Sequence, residues 1–278
     1  FSATKAILKE YGNCGLYISP TEHASVFESF TAIDSPDVSK TVFKALKDGK
    51  VITDGLDLGT PGLISIIHTG NETGVINNIE SIAEKHKKNN VFLHTDASQS
   101  FAKSSIDVKH LGVDYLTGSS HKIGGPHGTA FAYIKEGSPV GQIIFGGSQE
   151  RNRRSGTENF PAAAGFAEAI KIWKKNRILW NKNGTFLKEM LLKGLNSIDN
   201  KGIINNSPAE SSPFIASISF LPEYYKPDLE SMLIFLDIKG VAVSGGSACA
   251  SGSLKPSRIL RAIGKSDDEA KATIRVSF

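Results

Sequence analysis

The stretch Thr-Gly-Ser-Ser-His-Lys-Ile-Gly-Gly-Pro-His-Gly, residues 117–128, decides the fold. Apolar residues on either side of it predict two short strands. Between these strands, Lys122 lies among small residues, glycines and a proline, which let the backbone approach a ligand closely. Ser119 and His121 place a hydroxyl and an imidazole beside this lysine. The arrangement suits an amine that forms a Schiff base with an aldehyde, and a glycine-rich turn with a solvated lysine is the alternative.

Outside this stretch, apolar runs alternate with helical periodicity over the first two thirds of the chain. Residues 63–67 form a near-continuous apolar run, as expected of a strand that is buried on both faces of a parallel sheet. The alternation predicts an α/β domain with a mostly parallel sheet over residues 1–177. The rhythm changes at 176–181, and residues 178–278 predict a smaller α+β domain. The predicted helices are 2–11, a helix from residue 24 capped by Thr21, 40–47, 79–88, 160–173, 178–195, 228–236 and 256–263, and the predicted strands are 15–19, 63–67, 91–95, 113–116, 130–134, 215–220, 241–244 and 274–278.

Composition excludes several classes of protein. The chain has 278 residues, of which 40% are apolar and 22% are charged, as in ordinary globular proteins. The net charge of +4, from 32 basic and 28 acidic residues, is too small and too dispersed to indicate nucleic-acid binding. No apolar run is long enough to span a membrane, and no metal site is predicted. The two cysteines, Cys14 and Cys249, form no disulfide framework, which predicts a reducing cytoplasm or organelle matrix.

Asp96 follows a predicted strand and precedes Lys122 by one connector and one further strand. In a parallel sheet this spacing brings both residues to the same edge, where such sheets bind ligands. The pair suits pyridoxal phosphate (PLP), which acts as an electron sink while a buried carboxylate keeps its pyridine nitrogen protonated. An isolated aspartate at a strand end is more often a cap or a turn residue. The lysine stretch at this distance favours the cofactor interpretation.

Five motifs, in order along the chain, resemble those of cysteine desulfurases. These enzymes are fold-type I PLP-dependent transferases of aminotransferase class V, with a large domain built on a mostly parallel sheet and a smaller α+β domain. The last two motifs resemble the group that serves iron–sulfur assembly or nitrogenase maturation. The motifs are 94–100 (HTDASQS), 119–126 (SSHKIGGP), 149–159 (QERNRRSGTEN), 245–251 (GGSACAS) and 256–264 (PSRILRAIG).

The resemblance implies a set of residues that hold the cofactor by its aldehyde, ring and phosphate groups. If one of them reaches the phosphate in a neighbouring subunit, the active site requires a homodimer. The set is Lys122 (Schiff-base lysine and proton carrier), Asp96 (pyridine nitrogen), Gln99 (phenolic oxygen), His23 (stacking on the ring and moving protons), Ser119 and His121 (phosphate), Thr157 (phosphate of the neighbouring subunit) and Asn71.

The resemblance also implies the substrate contacts and the nucleophile. Asn71 and Arg275 would hold the substrate carboxylate, because the planar fork of arginine binds a carboxylate through two hydrogen bonds. Cys249 lies among Gly, Ser and Ala, which is typical of an exposed loop, and its thiolate would attack the sulfur of PLP-bound L-cysteine. The products would be L-alanine and a persulfide on Cys249, whose sulfur passes to an acceptor or iron–sulfur scaffold protein. Cys14 is expected to be a buried, structural cysteine.

Two other functions fit the same residues. A selenocysteine lyase or another class V lyase uses Lys122 and Asp96 in the same way, although the Ser-Ala-Cys sequence at 247–249 favours a desulfurase. A non-catalytic scaffold for sulfur transfer is favoured by one departure from the family, which has a Gly-Ala/Gly-Thr-Glu phosphate loop where this sequence begins at Phe1. The family also continues as a helical tail beyond the strand of Arg275. We therefore expect both ends to be cuts through a larger protein.

Overall fold

The computed structural model describes residues 2–54, 61–86, 90–226, 228–245 and 256–278. The strands are β1 (Cys14–Ile18), β2 (Val38–Val42), β3 (Lys44–Ala45), β4 (Val51–Ile52), β5 (Gly62–Ser65), β6 (Val91–Asp96), β7 (Tyr115–Ser119), β8 (Ala130–Ile134), β9 (Ile203–Asn205), β10 (Ile215–Phe220), β11 (Ser244–Gly245) and β12 (Thr273–Ser277). The helices are α1 (Ser2–Tyr11), α2 (Ala24–Thr31), α3 (Ile79–His86), α4 (Val108–Leu111), a 3₁₀ helix (Ser120–Ile123), α5 (Gln149–Asn152), α6 (Phe160–Ile198), α7 (Leu229–Ile238), α8 (Arg258–Ala262) and α9 (Asp267–Lys271).

The chain forms two compact units, and the division falls inside α6. This helix runs for 39 residues, so the two helices predicted at 160–173 and 178–195 are one. The predicted organisation into a large and a small domain stays a prediction. The first unit comprises 1–43, 53–68 and 77–177, and the second comprises 44–52, 69–76 and 178–278.

The first unit is built on a six-stranded sheet in the order β2-β1-β5-β6-β7-β8. Neighbouring strands from β2 to β7 pair in parallel, and β8 is antiparallel to β7. Ile64 of β5, and Ile66 and Ile67 directly after this strand, are at most 2% exposed, as expected where a central strand is covered on both faces. The predicted α/β fold with a mostly parallel sheet is confirmed.

Close packing of β1 and β5 fixes the centre of this sheet. A methyl group added to Gly62 would overlap the carbonyl oxygen of Gly15 on the neighbouring strand. On one face, Ile7 of α1 packs against Cys14 and Leu16 of β1. Glycine is therefore required where the strands approach, while the apolar stripe of α1 covers them.

The second unit contains an antiparallel sheet in the order β11-β12-β10-β9. Ala216, Ile218 and Ile274 form its buried core. The helix α9, which leads into β12, starts with a capping box in which Ser266 and Glu269 satisfy each other's backbone N–H groups. This cap fixes where α9 begins.

The helix predicted at 40–47 is wrong. Val38–Val42 is strand β2, which pairs in parallel with β1, and Lys44–Ala45 is strand β3. The β-branched residues Val38, Thr41 and Val42 favour extended backbone, and the hydrogen bonds to β1 outweigh the weak local helical periodicity.

Candidate active site

The carboxyl ends of β6 and β7 bring Asp96 and the lysine stretch to one edge of the sheet. Asp96 is the register partner of Thr117 in the parallel ladder. Its side chain is 7% exposed, and its Oδ1 accepts a hydrogen bond of 2.8 Å from the Ser98 N–H. The 3₁₀ helix that follows β7 carries Lys122, whose side chain is exposed, and Gly124 ends this helix with a φ of 78°. A buried carboxylate and an accessible amine thus lie at the same sheet edge.

A second lysine, which the sequence analysis missed, lies near Lys122. Burial and the positive charge of Lys122 lower the pKa of Lys103 to about 8. Lys103 Nζ donates a hydrogen bond of 3.4 Å to Oε1 of Gln99. Because the amide oxygen of Gln99 is held by Lys103, its NH₂ group is the end that can donate to a ligand.

The two residues predicted to bind phosphate contact each other. Ser119 Oγ lies 2.7 Å from Nδ1 of His121, and the His121 ring stacks on His127 with 5.4 Å between the ring centroids. Burial, Lys122 and His127 all lower the pKa of His121. A hydroxyl and an imidazole therefore stand together beside Lys122.

His23 caps helix α2, and the predicted Thr21 cap is wrong. Nδ1 of His23 accepts the N–H of Ser25 at 3.2 Å, whereas Thr21 Oγ1 lies 2.8 Å from Ser19 Oγ. Because Nδ1 accepts from a backbone N–H, the neutral ring carries its proton on Nε2. The cap was missed because Ser, Thr, Asp and Asn are the usual N-cap residues.

A hydrogen-bond chain runs beneath the same part of the first unit. Ser65 Oγ lies 3.2 Å from Oε1 of the buried Glu22 and 2.8 Å from Nδ1 of His94, and Nε2 of His94 lies 3.3 Å from Thr117 Oγ1. Burial lowers the pKa of His94 to about 4, although the charge of Asp96 opposes the shift. His94 is therefore uncharged at neutral pH, and it does not neutralise the Asp96 carboxylate.

In the second unit, the two residues predicted to bind the substrate carboxylate lie together. Arg275 Nη1 donates a hydrogen bond of 3.2 Å to the backbone oxygen of Asn71. Nε of Arg275 and Oδ1 of Asn71 are buried, and neither has a hydrogen-bond partner within the part of the chain that the structure describes. Buried polar groups are usually satisfied, so the open Nε–H of Arg275 is suited to an acceptor supplied by a ligand.

Thr157 lies on an exposed loop that follows α5, a four-residue element whose backbone is left-handed at three positions. Glu150, Arg151 and Asn152 have φ values of 48°, 57° and 62°, which non-glycine residues rarely adopt. Ser155 Oγ donates a hydrogen bond of 2.7 Å to the backbone oxygen of Gly147, which stabilises this conformation. Such strain persists only where the surroundings fix it, and it is common at functional sites.

The predicted nucleophile Cys249 lies outside the described residues. Cys14 is 1% exposed, and burial raises the pKa of its thiol to about 11. At neutral pH Cys14 is a buried thiol rather than a thiolate, as predicted for a structural cysteine.

Two kinds of feature are absent from the residues that the structure describes. No group of three or more His, Cys, Asp or Glu side chains there has a geometry that would hold a metal ion. Within the same residues, no helix combines the length and the apolar character needed to cross a bilayer.

Comparison with known proteins identifies relatives along nearly the whole chain. The family model Aminotransferase class-V matches residues 15–278. The chain is 36% identical over 261 residues to the mitochondrial cysteine desulfurase of Saccharomyces cerevisiae, covering 92% of this chain and 51% of that protein. It is 35% identical over 280 residues to the cysteine desulfurase IscS of an Anaeromyxobacter species, covering 98% of this chain and 68% of that protein. The chain thus spans 51% and 68% of the length of these two curated relatives.

A solved structure agrees with these matches. The X-ray structure of a NifS-like protein from Rickettsia africae superposes with a TM-score of 0.84 at 29% sequence identity. The superposition covers 100% of this chain and 74% of the Rickettsia chain.

Proposed function

We propose a cysteine desulfurase activity for this chain, which belongs to the aminotransferase class-V family and, within it, to the cysteine desulfurases. In the proposed reaction, L-cysteine and the Cys249 thiol give L-alanine and a persulfide on Cys249. The observation that carries the proposal is the shared sheet edge of Asp96 and Lys122, which supplies the buried carboxylate and the accessible amine that PLP requires.

Several residues of the first unit fit the cofactor. PLP, when bound, supplies an electron sink for the carbon that bears the substrate amine. Asp96 would hold a proton on the ring nitrogen, because the neutral His94 leaves the carboxylate charge available for it. Gln99, whose oxygen is held by Lys103, donates from its NH₂ group to the phenolic oxygen.

The phosphate contacts come from the start of the 3₁₀ helix. Ser119 and His121 supply a hydroxyl and a ring N–H at the same place, which suits an anion with several acceptor oxygens. Thr157 lies on an exposed loop and supplies a further hydroxyl to the phosphate in the neighbouring subunit. The active site is therefore shared between two copies of the chain.

The remaining steps are proton transfers and substrate binding. Lys122 would hold the cofactor covalently, and its amine would carry protons. His23 would stack on the ring and would present its Nε2–H, because Nδ1 is occupied by the Ser25 N–H. In the second unit, Arg275 and Asn71 bind the substrate carboxylate, which satisfies the open Arg275 Nε–H.

Cys249 removes the sulfur, and the persulfide then passes it to an acceptor. The high pKa of Cys14 supports this assignment, because a thiol that stays protonated at neutral pH is a poor nucleophile. The acceptor is a sulfur-carrier or iron–sulfur scaffold protein. The two cysteines of the chain form no disulfide framework, which favours a reducing compartment, so we propose a location in the cytoplasm or an organelle matrix.

The proposal is tested by spectroscopy and product analysis on the whole protein. Bound PLP should give a visible absorption band that borohydride bleaches, and L-cysteine should be converted to L-alanine. Mass spectrometry after exposure to L-cysteine should find one added sulfur on the peptide that holds Cys249. A protein without the band would be a scaffold. A protein with the band that acts on selenocysteine and leaves L-cysteine intact would be a selenocysteine lyase.

A further inference from the structure

Glu72 is a buried acid that the proposed reaction does not use. It follows Asn71 in the second unit, and its side chain is 7% exposed. Its Oε2 accepts a hydrogen bond of 2.5 Å from Oγ of Ser257, which is itself 2% exposed. Ser257 is the N-cap of α8 and accepts the N–H of Leu260 at 3.2 Å. Glu72 therefore joins the Asn71 segment to the first turn of α8.

Two guanidinium groups act on this carboxyl. Arg275 of β12 and Arg258 of α8 attract its charge, as does the hydrogen bond from Ser257. They are the charged side chains that act on Glu72 within the described ranges. Burial is the larger effect and raises the pKa of Glu72 to about 7. At neutral pH the population of Glu72 is therefore divided between the neutral and the charged form.

Arg275 is constrained by its strand. In the antiparallel sheet, Arg275 pairs with Ser217 of β10 on one side and with Ser244 of β11 on the other. Its Nη1 is engaged by the Asn71 backbone, while its Nε has no partner in the described part of the chain. The backbone of Arg275 is therefore fixed by two strands, and its guanidinium has one hydrogen bond and one open N–H donor. The charge of this guanidinium also attracts the Glu72 carboxylate.

We propose that Glu72 is a positioning residue for Arg275, and that it takes up a proton from water when the substrate carboxylate binds to this guanidinium. This inference rests on the role proposed above for Arg275. In the absence of substrate, the Glu72 carboxylate helps to hold the guanidinium charge in a buried place. A substrate carboxylate then brings a second negative charge to the same cation.

Proton uptake relieves the repulsion between the two carboxylates. A like charge nearby favours the neutral form of an acid, so the bound substrate shifts Glu72 further towards protonation. The contact with Ser257 survives the change, because a hydroxyl has one donor and two acceptor positions. Ser257 can donate to the charged carboxylate, or accept from the protonated acid while still capping α8. Protonation of Glu72 therefore requires no rearrangement of α8.

The affinity of this site for a carboxylate should fall as the pH rises. Below pH 6, Glu72 is already protonated in the free protein, and carboxylate affinity should be independent of pH. As the pH rises through 7, each binding event must draw a proton from water, and the affinity falls. With a pKa near 7, the dissociation constant should rise about tenfold between pH 6 and pH 8.

The test uses the whole, PLP-loaded protein and the probe 3-mercaptopropionate. This molecule is cysteine without its amine, so it can occupy the carboxylate site and cannot form an imine with the cofactor aldehyde. Calorimetric titrations in two buffers of different ionisation enthalpy give the dissociation constant and the number of protons taken up. We expect about half a proton at pH 7 and about 0.9 at pH 8. In Glu72→Gln, which still accepts from Ser257, both the uptake and the tenfold change should disappear.

Variants of Ser257 provide a matched control. The Ser257 hydrogen bond favours the charged form of Glu72, so Ser257→Ala should move the midpoint of the pH dependence to a higher pH. Ser257→Thr keeps both the hydroxyl and the cap of α8, and it should retain the wild-type midpoint. This comparison tests the inference even if Glu72→Gln folds poorly, since a purely structural role predicts no shift in the midpoint.

The possible failures are distinguishable. The inference is overturned if Glu72→Gln keeps the wild-type pH dependence, if the wild type shows none, or if the probe binds at no pH. If the wild type converts L-cysteine to L-alanine but binds the probe independently of pH, the inference alone fails. If binding depends on pH as described but L-cysteine is not consumed, the proposed function fails and the inference stands.

Discussion

At the residue scale, burial separates the chemistry of similar side chains in this chain. Cys14 lies in the core beside Leu16, and its thiol stays protonated at neutral pH. Lys122 is exposed, whereas burial and the Lys122 charge depress the pKa of Lys103 to about 8. The residue type alone therefore does not determine the role of these side chains, because the environment sets their charge.

The two cysteines give a prediction with an internal control. Cys249→Ser should still bind PLP and shift its absorption on addition of L-cysteine, but it should release almost no alanine. A serine hydroxyl is a poor nucleophile towards sulfur, whereas a thiol with the reference pKa of about 8.5 is partly ionised at neutral pH. Cys14→Ala should keep its turnover per folded molecule. Added sulfur on the Cys14 peptide, or normal turnover in Cys249→Ser, would contradict the assignment.

The lysine assignment is tested by a second pair of variants. Lys122→Ala should lose turnover, and borohydride should fix no pyridoxyl group on the protein. Lys103→Ala should keep the covalent attachment, because Lys103 contacts Gln99 and is not itself the proposed Schiff-base lysine. Peptide mapping of the borohydride-reduced wild type locates the pyridoxyl group. A pyridoxyl group on any lysine other than Lys122 would contradict the assignment of Lys122 as the Schiff-base lysine.

Some residue-scale features were within reach of the sequence and others were not. Asp96 and Lys122 were placed at one sheet edge because strand ends in a parallel sheet are set by local periodicity. The contact between Glu72 and Ser257 joins residues 185 positions apart, and no local pattern encodes it. The His23 cap was missed because its ring nitrogen replaces the usual hydroxyl or carboxylate oxygen.

At the element scale, glycine has opposite effects in a strand and in a helix. Gly62 lies where β5 approaches β1, and a methyl group there would overlap the Gly15 carbonyl. Gly194 lies in α6, where an added methyl group would meet no atom within 4 Å. The same substitution should therefore change the free energy of unfolding in opposite directions.

We expect Gly62→Ala to lower the free energy of unfolding by about 1–3 kcal/mol, as for other overpacked sites. Gly194→Ala should raise it by about 0.5–1 kcal/mol, because alanine loses less backbone entropy in a helix. Urea unfolding of both variants beside the wild type measures the difference. Equal midpoints for Gly62→Ala and the wild type would show that β1 and β5 separate without cost.

The elements also show where local patterns fail. The sequence predicts β1, β6 and β7 because each contains a short apolar run, but β7 extends to Ser119, three residues beyond the predicted strand end. Residues 40–47 were given the wrong type, because pairing of β2 with β1 is a long-range contact that local periodicity does not contain. The single helix α6 was divided in two, since the change of pattern at 176–181 does not interrupt its backbone.

At the scale of the whole molecule, the first unit exposes apolar side chains near the loop of Thr157. Ile143, Ile144 and Phe145 are consecutive in sequence, and Phe145 is 81% exposed. Phe160, three residues after Thr157, is 71% exposed. Large exposed apolar side chains grouped in this way are typical of interaction surfaces. They support the proposed homodimer, in which a two-fold axis would repeat the same surface on both copies.

Shared active sites make a prediction that simple dimerisation does not. If Thr157 serves the phosphate of the neighbouring subunit, Thr157→Asp should be nearly inactive, because its carboxylate repels the phosphate across the interface. Lys122→Ala should also be inactive. In a mixed dimer, however, one of the two sites combines Lys122 from the first variant with Thr157 from the second. Random pairing makes half of the dimers mixed, so co-expression of the two variants should recover about one quarter of the wild-type activity.

Co-expression of Lys122→Ala with the double variant Lys122→Ala/Thr157→Asp is the matched control, and it should recover none. A fully active Thr157→Asp protein would mean that Thr157 does not contact the phosphate, and a mixture as inactive as its parents would mean that each subunit completes its own site.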